Sequence, residues 1–210
     1  MKTKIIFLLL FAASVAAQND KSEAIGMQHK KALLFSINEF RLESFNGGVG
    51  LKFWTSESFA LLGKINYSYS KTERDKTEKL TGNIDKDISY GASIGFEKHL
   101  SIVKNISPYI GLSFSAGFEN KNEKVNSANY LGTIYTNERT TSSYSISVNL
   151  CFGAEFFLTE SISLAGQYNL GAEYSAGEEE YKTPYSATKM DVSDLNVGTS
   201  SGALIIAVYF

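Results

Sequence analysis

The sequence predicts an all-β protein, an eight-stranded antiparallel up-and-down β-barrel that crosses a membrane with its strands. Three observations carry this reading. Apolar and polar residues alternate strictly over runs of 10 to 13 residues, whereas ordinary strands average about five or six. The chain's last run, Ala203-Leu-Ile-Ile-Ala-Val-Tyr-Phe210, is apolar, β-prone and ends on an aromatic residue. Left at the edge of a soluble sheet it would invite aggregation, but in a barrel it closes the ring against the first strand. The first residues read as an export signal: basic Met1-Lys-Thr-Lys4, apolar Ile5 to Val15, and a small-residue cleavage site at Val15-Ala-Ala17.

The apolar run from Ile5 to Ala17 is too short for a membrane-spanning helix. No later stretch offers 18 consecutive apolar residues. The expected division is a signal peptide at 1–17, a periplasmic N-terminal segment at 18–30, and the barrel at 31–210. Loss of Lys2 and Lys4 with the signal leaves 18 basic against 22 acidic side chains. That mild acidity argues against nucleic acid as a partner. Cys151 is the one cysteine, so no intrachain disulfide framework exists.

The elements follow from the alternation. A first strand is expected over Lys31–Arg41, then a tight Asn-Gly turn in Phe45-Asn-Gly-Gly48 and a second strand over Gly48–Thr55. From Phe59 to Tyr69, odd positions are apolar and even ones hold Lys64, Asn66 and Ser68. From Ile88 to Glu97, Ile88, Tyr90, Ala92, Ile94 and Phe96 oppose Ser89, Gly91, Ser93, Gly95 and Glu97. The same two-faced pattern runs over 108–119, 144–156 and 162–174. Pro108 opens its strand, where a missing N–H is tolerated. A last strand from about Val197 to Phe210 makes eight. The connectors Thr55–Ser58, Leu100–Ile106 and Leu158–Ser161 are short. Lys71–Asp87, Asn120–Thr140 and Ser175–Asn196 are long, polar and read as loops. With both termini on one side, every long connector falls on the other, the pattern of short periplasmic turns and long outer loops.

Which face looks inward follows from the aromatics. At the outer ends of the apolar face lie Tyr67, Tyr69, Tyr90, Phe118, Tyr144 and Tyr174. At the periplasmic ends lie Phe53, Phe59, Phe96, Phe156 and Phe210. Two belts at opposite ends of one face match the interfacial girdles of a barrel in lipid. A soluble lipocalin-like binder would instead turn the apolar face inward.

The segments Ala32-Leu-Leu-Phe-Ser36, Phe45-Asn-Gly-Gly-Val-Gly50, Ser107-Pro-Tyr-Ile-Gly111, Gly153-Ala-Glu-Phe-Phe157 and Val208-Tyr-Phe210 resemble the small outer-membrane β-barrel family of Bacteroidota. In architecture the chain is similar to the enterobacterial small barrels of the X and A types. The resemblance implies residence in the outer membrane among its lipid and lipopolysaccharide. It also implies insertion by the barrel-assembly machinery, which reads a C-terminal strand ending in an aromatic residue. Its motifs are turns and strand ends, so it implies no catalytic activity, and function on such scaffolds lives on the outer loops, where a host or surface ligand would bind.

The inward parity collects Lys52, Lys64, Glu97, Glu119, Glu155 and Glu173, with Asn149 and Gln167. These read as a polar plug of the narrow lumen, Lys–Glu pairs offsetting each other's desolvation. Strand direction puts Lys52, Glu97 and Glu155 near the periplasmic end, Lys64 midway, and Glu119 and Glu173 near the outer mouth. The alternative is a narrow porin-like conduit. Of the two histidines, His29 precedes the first strand and His99 sits at the periplasmic end, whereas lipid-A-modifying barrel enzymes act at the outer leaflet. No cofactor or metal site is expected. Cys151 reads as a buried inert thiol. Gly47-Gly48-Val49-Gly50 leads into a strand and is no dinucleotide fingerprint. Glu178-Glu-Glu180 reads as a solvated acidic loop, Lys71–Lys79 as a mobile one. Counting back from Phe210, Val208, Ile206, Leu204 and Gly202 face lipid, and Tyr209 is expected at the rim with its hydroxyl in water.

Overall fold

The computed structural model describes residues 26–41, 44–74, 81–100, 105–128, 134–199 and 202–210. The expected signal peptide and most of the segment after it lie outside the described residues. The strands are β1 (Lys31–Arg41), β2 (Ser44–Trp54), β3 (Phe59–Arg74), β4 (Thr81–His99), β5 (Ile106–Ala128), β6 (Ile134–Phe157), β7 (Ile162–Lys182), β8 (Ala187–Thr199) and β9 (Ala203–Tyr209). Each of β1 to β7 pairs antiparallel with the next, and β9 joins β7 to β1, closing a ring of eight staves.

The eighth stave is in two pieces, β8 and β9. The pairing Gln167↔Ala203 becomes Leu170↔Thr199, a slip of one residue. This corrects the expected continuous strand from Val197. Continued by twos, that strand would have turned Val197 inward. The slip resets the parity, so that Leu195 and Val197 look outward at 66% and 73% exposure, as do Leu204, Ile206 and Val208 below it. The two apolar stretches are out of phase in the sequence, and the one-residue slip in pairing brings both to one face.

The outer wall of the ring is apolar: Val49, Leu51, Ile65 and Ile94 are exposed, as are Phe114 and Ile146. The inner wall carries serine, asparagine, lysine and glutamate. That inversion of a soluble barrel is what lipid around the wall requires. Tyr67, Tyr90, Phe118 and Tyr144 stand in one row across four strands, with Tyr90 and Phe118 centroids 5.3 Å apart.

β4 to β7 have 19 to 24 residues, about twice the 9–11 that a membrane span takes. The excess lies past the tyrosine row. The connectors expected as loops at Lys71–Asp87, Asn120–Thr140 and Ser175–Asn196 are largely strand. Lys71–Arg74 continues β3, and Glu178–Glu180 lies in β7, not in a loop. About 10 residues of β5 and β6 stand beyond the row, a rise of roughly 30 Å. β1 and β2 stop short, with Ser44 facing Ser70 as their last rung. The upper parts of β3 to β8 therefore form an open sheet. Among the described residues, its edges are Lys71–Arg74 of β3 and the whole of β8.

The expected Asn-Gly turn is also corrected. Asn46, Gly47 and Gly48 lie inside β2, paired with Glu39, Ile37 and Ser36. A register shift between Ile37 and Glu39 absorbs the irregularity. A Cβ on Gly48 would collide with the Ile65 carbonyl oxygen, so glycine serves close strand approach here and not a turn.

Candidate functional site

At the end bearing the termini, the ring is closed from below. Gly26 to Lys30 folds beneath it: Met27 is fully buried, the Lys30 N–H donates to the Met27 carbonyl, and the His29 N–H donates to the Trp54 carbonyl. Met27 packs in a floor with Trp54, Phe157, Leu34, Ile205 and Ala207. His29 takes a positive φ of 66° to make this turn.

On that floor stands a buried ionic cluster. β2 supplies Lys52, β4 Glu97 and His99, β6 Glu155, and the polar partners come from β5, β7 and β9. Lys52 Nζ lies 2.8 Å from Glu97 Oε2, 2.8 Å from Glu155 Oε2 and 3.2 Å from His99 Nε2. An ammonium only donates, so Lys52 is hydrogen-bonded to Glu155 and His99 and ion-paired with Glu97. Glu155 Oε1 accepts from the Tyr209 hydroxyl at 2.5 Å and from the Ser163 hydroxyl. His99 Nδ1 is 2.7 Å from Ser107 Oγ. Because Nε2 accepts from Lys52, the ring proton sits on Nδ1 and is donated to Ser107. The rings of Trp54 and Tyr109 flank His99, with centroids 4.3 and 5.1 Å away, and Lys52 Nζ lies 4.8 Å from the Trp54 centroid. Tyr109 is opposite Gly153 in register, and a side chain there would meet its ring.

The expected lumen residues thus divide. Lys52, Glu97 and Glu155 come together. Lys64 makes no ion pair with them; it lines a cavity of about 150 Å³ above, which Glu97 also borders, with Ser36, Asn66, Ser113 and Asn149. Glu119 lies further out against Asp87, and Glu173 is level with Ser147 and Asn196. Around Lys52 the free space shrinks to about 10 Å³, room for about one water. Cys151 is a buried free thiol. Tyr209 corrects its expectation: it is 5% exposed, and its hydroxyl is bound to Glu155 instead of reaching water.

Sequence reasoning left His99, Ser107, Ser163, Trp54 and Tyr109 out of the plug. The inward parity that selected Glu97 and Glu155 continues through 99, 107, 109 and 163, and that was the signal available. Ser107, His99 and Glu97 share the residue types of a hydrolytic triad. Ser107 is fully buried, with its hydroxyl against His99 Nδ1.

At the opposite end, the projecting sheet is largely polar and is held by pairs both across and along its strands. Arg139 bonds Glu179 at 2.6 Å, Lys182 pairs with Glu180 at 2.9 Å, and Asn122 donates to Glu138 at 2.7 Å.

No protein-family model matches the chain, and no curated protein matches it in sequence. Among solved structures, it is similar to a major outer membrane protein from Thermus thermophilus, with a TM-score of 0.55 at 12% identity, covering 86% of this chain and 99% of that one. It also aligns with the N-terminal β-barrel domain of Pseudomonas aeruginosa OprF at 12% identity over 87% of this chain and 98% of that one, with a TM-score of 0.28. The first likeness and the inside-out wall agree on the fold, which is that of an outer-membrane β-barrel.

Proposed function

We propose that this is an outer-membrane protein with both termini in the periplasm, whose working part is the open sheet held outside the cell. The observation that carries the reading is the projection of β3 to β8 past the tyrosine row, by 10 residues in β5 and β6 and by six or seven in β3, β7 and β8. Loops would be the ordinary place for variable contacts, but here the excess chain is a sheet whose edges, among the described residues, lie at β3 and β8. An extended segment of another protein can add to such an edge through main-chain hydrogen bonds. Tyr185 at the entry to β8 and Met190 on its inner face are exposed and offer apolar contacts beside that edge. The role is structural or one of surface interaction, without catalysis. The cluster around Lys52 is read as a plug.

Orientation is tested by labelling. In a Cys151→Ser background, Tyr185→Cys should react with a membrane-impermeant maleimide on intact cells. Labelling only after lysis would place the sheet inside and sink the reading.

The second reading, a narrow channel, draws on the cavity beside Lys64. It predicts steady conductance in planar bilayers that changes in Lys64→Ala. The plug reading predicts no steady conductance in either protein, because the constriction lies at Lys52.

A further inference from the structure

Past the tyrosine row, the outward face of β3 to β5 carries a basic groove that the plug and the sheet edges do not explain. Lys71, Ile84, Lys86, Asn122 and Lys124 line a space of about 390 Å³. Lys71 stands directly opposite Lys86, Lys86 opposite Asn122, and Ile84 opposite Lys124. Like charges directly opposite on one face of a sheet repel, so this face favours an anion between them. Lys71 has a further polar interaction of its own, and Lys124 is 3.3 Å from Glu138 with its side chain 48% exposed. An exposed pair of that kind is weak. Asn122 uses its amide on Glu138 and on Thr140, at 2.7 and 3.1 Å, and so fixes Glu138 at the groove's far wall.

Height and sidedness identify the anion. Lys71, Lys86 and Lys124 lie four, four and six residues beyond Tyr67, Tyr90 and Phe118 of the aromatic row. With strands tilted, that is roughly 10–15 Å above the belt, and lysine stems can bend back toward it. The ammonium groups therefore stand at headgroup depth, on the face that continues the lipid-contacting wall. On β6 to β8 the same outward face carries Glu138, Glu178, Glu180 and Asp191 against Lys182, paired to Glu180, and Lys189, opposite Glu180. Its balance is acidic, whereas that of the groove is basic.

We propose that this groove binds the phosphoryl group of a phosphorylated glycolipid in the leaflet around the belt. The inference rests on the outward orientation of the sheet proposed above. Ammonium groups on flexible stems suit phosphate as point charges. The site would seat the barrel at a fixed height in its leaflet and order the lipid next to β3 to β5.

The test uses the full chain refolded in detergent, with native mass spectrometry reading bound glycolipid. Wild type should hold lipopolysaccharide carrying its lipid A phosphates. The same glycolipid stripped of phosphate, or the Lys86→Gln/Lys124→Gln variant, should bind about tenfold more weakly or less. Lys189→Gln, on β8, should bind as wild type does, and heat-modifiable migration confirms that each variant has folded. Equal binding of the stripped glycolipid, or an unchanged double variant, overturns the proposal. So does displacement by millimolar inorganic phosphate, which would mark a site for the free anion, and equal retention of phosphatidylglycerol, which would mark a general attraction to anionic lipid. Failure of the orientation reading shows separately, in the labelling of Tyr185→Cys on cells.

Discussion

Lys52 and Glu155, 103 residues apart in sequence, meet at 2.8 Å across the lumen, and neither is more than 4% exposed. Removing one member of such a pair leaves an uncompensated charge in a place water scarcely reaches. Lys52→Met should therefore destabilise the barrel by about 3–5 kcal/mol, read as a lower urea midpoint for the loss of heat-modifiable migration. Replacing all three charges, as Lys52→Met/Glu97→Gln/Glu155→Gln, should recover most of that loss. A triple variant no better than Lys52→Met would mean that the cost lies in packing and not in charge.

The hydrogen bonds around His99 fix its tautomer. With Lys52 donating to Nε2 and Nδ1 facing Ser107, the ring should show the Nδ1–H form in ¹⁵N spectra of the folded protein at neutral pH. Ser107→Ala removes the acceptor of that proton and should cost about 1–3 kcal/mol. An Nε2–H signal would contradict the assigned network.

Trp54 is the chain's one tryptophan and is fully buried over Met27. Its emission should be blue-shifted and protected from acrylamide. Met27→Ala opens a cavity in the floor and should lower stability by about 2–5 kcal/mol while letting the quencher in. Unchanged quenching in Met27→Ala would show that the segment before β1 does not seal the barrel.

In the projecting sheet, Glu138 lies six residues beyond Tyr144 and so outside the lipid band. The hydrogen bond from Asn122, then that from Lys124, holds its carboxyl below the usual glutamate range. A lowered folded value means that its contribution is complete above the unfolded value and fades as pH falls through the folded one. NMR titration should find Glu138 protonating at lower pH than an exposed glutamate, and Asn122→Ala should return it toward the ordinary range. The same midpoint in both proteins would refute the bond.

The barrel wall was legible because burial contrast writes itself into period two: Ile88 to Glu97 and Tyr144 to Phe156 each sort into a lipid side and a lumen side. The projecting sheet was not. In Asn120-Lys-Asn-Glu-Lys124 and Glu138-Arg-Thr-Thr-Ser142 both faces meet water, so alternation carries no contrast, and pairing with neighbouring strands decides the conformation. Asn46-Gly47 carried a turn signal that the ladder between β1 and β3 overrode. Of the cluster, parity picked out Lys52, Glu97 and Glu155 as inward, and strand direction put them near one end. Which of them touch depends on stagger between strands, which a single chain does not display. Tyr209 and His99 read as rim residues because the sequence does not reveal that Met27 turns back beneath them.

The divided eighth stave gives the wall a seam. Among the described residues, β9 meets β1 over Ala32–Ile37 and β7 over Ile162–Gln167, while β5 and β6 stay in register from Ile106 to Ala128. Above Thr199 the stave leaves the ring and serves the projecting sheet instead. A lateral pull on that sheet is thus delivered, through β8, to the shortest ladder in the barrel. The cylinder is a zipper with one brief row of teeth, and the final residues of the chain are the slider that shuts it.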